Sequence, residues 1–138
     1  MGGIGPVGWI QIDCADPIAQ AGFWSEILGL PMDKVLGDPP HYAGLLAAAP
    51  DHPQISFQRV AEPKTMKNRI HLDIPVADVE AATRRVVGLG GGRLDDPDYH
   101  EYGFSWRRMA DPEGNEFCMV FEDPGRDPLD GDVRSSPP

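Results

Sequence analysis

The sequence predicts an α+β fold of two βαβββ modules forming a curved mixed sheet around a cleft. The order strand, helix, three strands occurs twice in 138 residues. The residues repeat with it. Trp9-Ile10-Gln11-Ile12-Asp13 stands 60 positions before Arg69-Ile70-His71-Leu72-Asp73, and Leu28-Gly29 stands 61 before Leu89-Gly90. The strands alternate apolar and polar, so one helix per module covers one face and the other face must be met elsewhere. Pairing two modules does that.

In the first module, residues 7–14 place Ile10, Ile12 and Cys14 on one face and Trp9, Gln11 and Asp13 on the other, the period of a half-buried strand. Asp16-Pro17 is a helix start, with Asp as N-cap and Pro in the first turn. The helix runs to about Leu28 with Phe23, Trp24, Ile27 and Leu28 as its apolar stripe, and Gly29 ends it. Strands are expected over 31–36, 41–49 and 54–60, the last with Ile55 and Phe57 opposite Ser56 and Gln58.

The second module repeats this order. Residues 69–74 place Ile70, Leu72 and Ile74 opposite His71 and Asp73. Asp78 caps a helix to about Leu89, which Gly90-Gly91-Gly92 terminates. Strands follow at 93–95, 103–109 and 115–121, the last two joined by a type I turn at Asp111-Pro112-Glu113-Gly114. One domain is expected over 1–122, with modules at about 7–60 and 69–122. Residues 123–138 carry four prolines and few apolar side chains, and read as a disordered tail.

Composition excludes several classes. A net charge of -10 repels a phosphate backbone, so nucleic acid is not an expected partner. No apolar run reaches the ~20 residues of a membrane span, and the first residues lack the basic-then-apolar pattern of a secretory signal. The expected setting is the cytoplasm, with no membrane partner. Cys14 and Cys118 form no disulfide framework and no Cys-x-x-Cys motif, and both lie in apolar strand patterns.

The segments IDCADP…FWSEILGL, FQRVAEPKTMKNRIHLDIPVAD and ADPEGNEFCMV resemble glyoxalase-like domains of the glyoxalase/bleomycin-resistance/dioxygenase (vicinal oxygen chelate) superfamily over about residues 7–122. The resemblance implies the paired βαβββ fold. It also implies, in metal-dependent members, four side chains converging on a divalent cation. Those positions fall here on Trp9, Gln58, His71 and Cys118. Trp9 lies seven residues before Asp16 as His71 lies seven before Asp78. Only His71 is a usual ligand type. Trp has no lone pair for a metal and Gln is a weak neutral donor, so no metal or other cofactor is expected.

The helix-averted faces carry Trp9, Gln11, Asp13, Ser56, Gln58, His71, Asp73, Glu116 and Cys118. They either line the cleft or form a solvated sheet face. His71 and Asp73 are the catalytic candidates: a histidine near neutrality can take a proton from a carbon next to a carbonyl. Trp9, Gln11, Gln58, Cys118 and Trp106 are the ligand-binding candidates, with Tyr102 and Phe104 as further aromatic walls. Cys118 has no neighbouring cation to activate it and is expected to be a packing residue. Three functions follow. One is a lyase- or isomerase-type enzyme on a small carbonyl compound. The second is a drug-sequestering protein of the bleomycin-resistance type, whose acidity suits a cationic ligand. The third is a ligand-free domain. Open edge strands point to a homodimer.

Overall fold

The computed structural model describes residues 2–125, so the expected tail lies, from 126 on, outside the described residues. The chain divides after Lys64 into two compact units. Each has one helix and its own mixed sheet, the α+β arrangement expected.

The first unit runs β1 (Trp9–Cys14), α1 (Pro17–Leu28), β2 (Met32–Leu36), β3 (Tyr42–Leu45) and β4 (Gln54–Arg59). The sheet order is β1-β4-β3-β2, with β1 parallel to β4 and the other pairs antiparallel. Alternation sets the two faces as read: Ile10, Ile12 and Cys14 turn inward, while Trp9 stays 64% exposed. The Asp16 carboxylate accepts the Ala19 amide at 3.1 Å, and Gly29 closes α1 at φ 66°, a left-handed conformation that favours glycine. Phe23, Trp24, Leu45 and Phe57 form the core, with Phe23 and Trp24 edge to face at 5.4 Å. The strand expected over 41–49 stops at Leu45. Leu45 pairs with Met32 at the start of β2, and no partner strand reaches beyond it.

The second unit runs β5 (Leu72–Pro75), α2 (Val79–Gly88), β6 (Gly92–Arg93), β7 (Tyr99–Glu101), β8 (Phe104–Ala110) and β9 (Glu116–Phe121). The order is β5-β9-β8-β6, and β7 also pairs with β8. Two features differ from the sequence reading. First, β5 begins at Leu72, where pairing with Phe117 starts, and Ile70 before it is 80% exposed. Second, β7 is an added strand. It forms a tight hairpin with β8 whose two-residue turn, Tyr102-Gly103, has φ 50° and 82°. Both positive angles fit a type I′ turn, which matches the twist of the flanking strands.

The β8–β9 turn is as expected and is held by one side chain. Buried Asp111 accepts the Glu113 and Asn115 amides at 2.9 and 3.0 Å and the Asn115 side-chain amide at 3.0 Å.

The helix side of the second sheet carries a buried charge. Arg107 is 4% exposed; its Nε and Nη2 meet Asp98 at 2.7 and 2.9 Å. It also donates to Thr83 Oγ1 and Glu80 Oε1 on α2 at 2.9 and 2.8 Å. Beside Arg107, the Glu80 carboxyl is held below its usual range. This fork ties α2 and the segment before β7 to the middle of β8. Arg107→Ala should lower stability by about 2 kcal/mol, because Asp98 loses two charge-assisted hydrogen bonds while keeping Arg93 at 3.0 Å. Glu80→Ala, at the solvent end, should barely move the thermal midpoint. Equal midpoints for parent and Arg107→Ala would show the fork to be dispensable.

Candidate functional site

The helix-averted face of the second sheet forms a cavity of about 640 Å³. Strand pairing builds it in rows. Asp73 on β5 lies opposite Cys118 on β9, which lies opposite Arg108 on β8. The next row on β8 brings Trp106 opposite Tyr99, and beyond it Phe104 lies opposite Glu101. His71, just before β5, shares the parity of Asp73, and its Nδ1 sits 3.0 Å from Asp73 Oδ1.

The floor of the cavity is a polar clamp. Arg108, buried, takes Asp95 in a fork, Nε and Nη2 each 2.6 Å from a carboxylate oxygen, and reaches Glu116 at 3.5 Å. The bond to Asp95 raises the guanidinium's pKa further above its ordinary value, against the opposing effect of burial. The guanidinium lies 5.8 Å from the centroid of the Tyr99 ring, which stacks on Trp106 at 5.5 Å. Glu116 also binds Lys67 Nζ at 2.6 Å and accepts nothing further from Asn68, whose Oδ1 instead receives the Glu116 amide at 3.2 Å. The loop before β5 is thereby fixed to β9.

Of the residues singled out in the sequence, His71, Asp73, Cys118 and Trp106 come together here, with Glu116, Tyr102 and Phe104. Trp9 and Gln11 line a separate cavity of about 430 Å³ within the first unit, beside Tyr42, Gln54 and Ser56. Gln58 lies between Asp13 and Tyr42 in the β1-β4-β3 register, and its carbonyl accepts the Cys14 thiol at 3.5 Å. Sequence reasoning missed Arg108, Lys67 and Glu101. A signal for the first was present: adjacent arginines within an apolar strand must face opposite sides, so each needs its own acid, and three aspartates stand nearby at 95, 96 and 98.

Cys118 carries no nucleophilic character. Burial, then the nearby carboxylates Asp73 and Glu116, push its thiol up to about 12. A second cluster, His100, Ser105 and Asp123, has the residue types of a nucleophile set. But Ser105 Oγ and Asp123 Oδ2 both address Nδ1, at 2.6 and 3.9 Å, and Ser105 is buried, so no relay runs through the ring.

The superfamily's divalent ion is tested by the same donors. His71, Asp73 and Cys118 bring three ligand atoms within 4.8 Å of one another, while the superfamily pattern calls for four donors. His71 Nδ1 and Asp73 already satisfy each other, and the thiol holds its proton to high pH. Trp9 and Gln58 are poor donors by type. These residues do not fit a tightly held divalent ion.

A family profile described as a glyoxalase-like domain matches residues 9–120. The chain belongs to that family, and with it to the glyoxalase/bleomycin-resistance/dioxygenase superfamily. No protein of curated function matches the sequence. Among solved structures, it is similar to a glyoxalase/bleomycin resistance protein/dioxygenase family enzyme of Burkholderia phytofirmans PsJN (TM-score 0.66, 16% identity, 85% of this chain and 98% of that one). It is also similar to a glyoxalase/bleomycin resistance protein/dioxygenase from Nocardioides (0.67, 13%, 93% and 90%). A third is a glyoxalase-related enzyme from Fulvimarina pelagi (0.62, 20%, 97% and 100%). At these identities the likeness is one of fold.

Two outcomes are expected. In the native protein at pH 8 neither thiol should react with a thiol reagent, and both should react once the chain is unfolded. The sign for stability follows. The folded pKa of Cys118 lies above its ordinary 9.0, so its contribution is complete below about pH 9 and is lost as pH rises towards 12. Fast stoichiometric labelling of the native protein would contradict this. Elemental analysis of purified protein should find well under one Zn, Ni, Fe or Mn per chain. About one per chain, lost in His71→Ala, would reverse the metal reading.

Proposed function

We propose that the second unit's cavity binds a small carbonyl compound and that the chain is an isomerase- or lyase-type enzyme with His71 as its base. The observation that carries this is the His71–Asp73 pair, 3.0 Å apart at the edge of a cavity walled by Trp106 and Phe104. A carboxylate on Nδ1 favours the tautomer with hydrogen there and leaves the Nε2 lone pair for substrate. Nε2 takes the proton from the carbon next to the carbonyl, and the electron pair moves onto the carbonyl oxygen. The imidazolium then returns the proton to the neighbouring carbon in an isomerase of a hydroxy-carbonyl compound, the substrate's hydroxyl proton passing from one oxygen to the other. In a lyase the electron pair instead expels a group from the next carbon.

Trp106 supplies an apolar wall, and Cys118 fills the floor as a neutral thiol. In the first unit the same reading gives Trp9, Gln11 and Gln58 ligand contact through their helix-averted face. The proposed setting is the cytoplasm, supported by two buried free cysteines. Among the described residues no helix is long and apolar enough to cross a membrane. The proposed assembly is a homodimer, supported by β2, an edge strand that leaves Met32, Val35 and Leu36 exposed.

The test is proton exchange. In D₂O, a panel of small hydroxy- and keto-carbonyl compounds is followed by NMR for deuterium uptake next to the carbonyl. Uptake with one class is expected. His71→Ala should abolish it and Asp73→Asn should slow it by at least about tenfold, with binding retained in both. Tight binding with no exchange by any compound would replace the enzyme reading with sequestration. Light scattering at micromolar concentration should give twice the chain mass, and a monomer mass would remove the dimer.

A further inference from the structure

The charges around the second unit's cavity do not balance. Its two strong cations are already matched: Arg108 by Asp95, and Lys67 by Glu116, which Arg108 also touches. Two further carboxylates line the cavity, Asp73 and Glu101. Asp73 has His71 beside it. Glu101 makes no side-chain hydrogen bond or ion pair among the described residues. Whether His71 is neutral or protonated, the cavity keeps an excess of negative charge.

The surroundings of Glu101 are aromatic. It is the last residue of β7, and the turn places Phe104 directly opposite it. Cross-strand partners have Cβ atoms about 5 Å apart on the same face, so the carboxylate stands beside the Phe104 ring. Tyr102, in the turn, and Trp106, two residues along β8, line the same cavity. Phe104 and Tyr102 are both largely exposed, at 64% and 82%, so neither ring is taken up by the core. A carboxylate beside open aromatic faces attracts an organic cation twice, by its charge and by the ring quadrupole. An organic anion would meet the unmatched carboxylate of Glu101 and cations already held by others. The chain's net charge of -10 draws cations towards it from a distance.

The geometry points to an organic cation as the ligand: a small compound bearing a protonated or quaternary amine, held by Glu101, Phe104 and Tyr102 in the cavity that His71 borders. This rests on the carbonyl-compound reading and narrows it to amine-bearing members.

The test uses three probes of similar size: benzyltrimethylammonium, benzyl alcohol and phenylacetate. Each is titrated into the full-length protein by calorimetry, at low and at high salt. The cation should bind at least about fivefold tighter than the alcohol, and phenylacetate most weakly. Added salt should narrow the gap between cation and alcohol. Glu101→Gln should cut the cation's advantage to about twofold or less while leaving the alcohol's affinity unchanged. Thermal denaturation checks that this variant is folded. Phe104→Ala, at an exposed position, should weaken cation and alcohol together. Phenylacetate binding as tightly as the cation would overturn the inference, as would an unchanged preference in Glu101→Gln. The cavity reading would survive either result. Cation preference without proton exchange in any amine-bearing carbonyl compound would uphold the inference and remove the enzyme reading. Binding of none of the three would remove both.

Discussion

Adjacent residues in a β-strand face opposite sides of the sheet, and in β8 two adjacent residues are buried arginines. A guanidinium cannot shed its charge at any ordinary pH, so each must be met by carboxylate on its own side. Arg107 meets Asp98 and α2 on the helix side, and Arg108 meets Asp95 and Glu116 on the cavity side. The second unit is organised around that requirement. Asp95 and Asp98 both lie in the connection between β6 and β7, so the two forks fix one segment from both faces. With that segment fixed, β7 is delivered to the edge of β8 and the hairpin ending in Tyr102-Gly103 is placed over the cavity.

The same clamp sets the chemistry of the floor. Cys118 stands between Arg108 and Asp73 in one cross-strand row. A cation next to a thiol would ordinarily activate it, but this cation is consumed by Asp95. Burial, then the field of Asp73 and Glu116, outweigh the smaller opposing pull of Arg108 and Lys67 and hold the proton on. The floor is therefore neutral at the sulfur, and the pair proposed as the base, His71 and Asp73, lies at the rim, where both are well exposed to solvent. Arg108 does not serve as an anion receptor for the same reason. Its fork is filled by a residue of its own chain.

What the sequence made legible was what depends on local period and on caps. Trp9 and Cys14 were sorted to opposite faces by counting in twos, and Asp16 and Asp78 declared the helix starts through the amides they accept. The Asp111 turn was equally local. Less legible were features decided by partners distant in sequence. Ile70 continues the apolar alternation of residues 69–74 yet is exposed, because the strand is defined by where β9 can pair with it. Strand β7 has three residues and no apolar alternation; only the dipeptide Tyr102-Gly103 signals its turn, and tyrosine is an uncommon residue at positive φ. In the candidate site, the parity rule placed His71, Asp73, Glu116 and Cys118 on helix-averted faces. It could not supply Glu101, which reaches such a face only through the unread hairpin.

On the proposed reading, the His71–Asp73 pair bears on how a site in a fold with metal-dependent members would work with no ion. A divalent ion in such a site would polarise a carbonyl and orient it. In this chain the residue opposite Asp73 across the sheet rows is Cys118, a protonated thiol, and Asp73 itself is engaged with the imidazole of His71. On the proposed reading the pair makes a base of a ligand type: a carboxylate on Nδ1 fixes the tautomer and the direction of the Nε2 lone pair, which proton abstraction needs and metal ligation would use up. Orientation of the substrate must then come from elsewhere. The open rings of Phe104 and Tyr102 and the unmatched carboxylate of Glu101 stand at the other strand of the cavity wall, where they can hold a substrate's remote end. On the proposed reading, binding energy gathered there, away from the reacting carbon, would position that carbon against Nε2 without any ion between them.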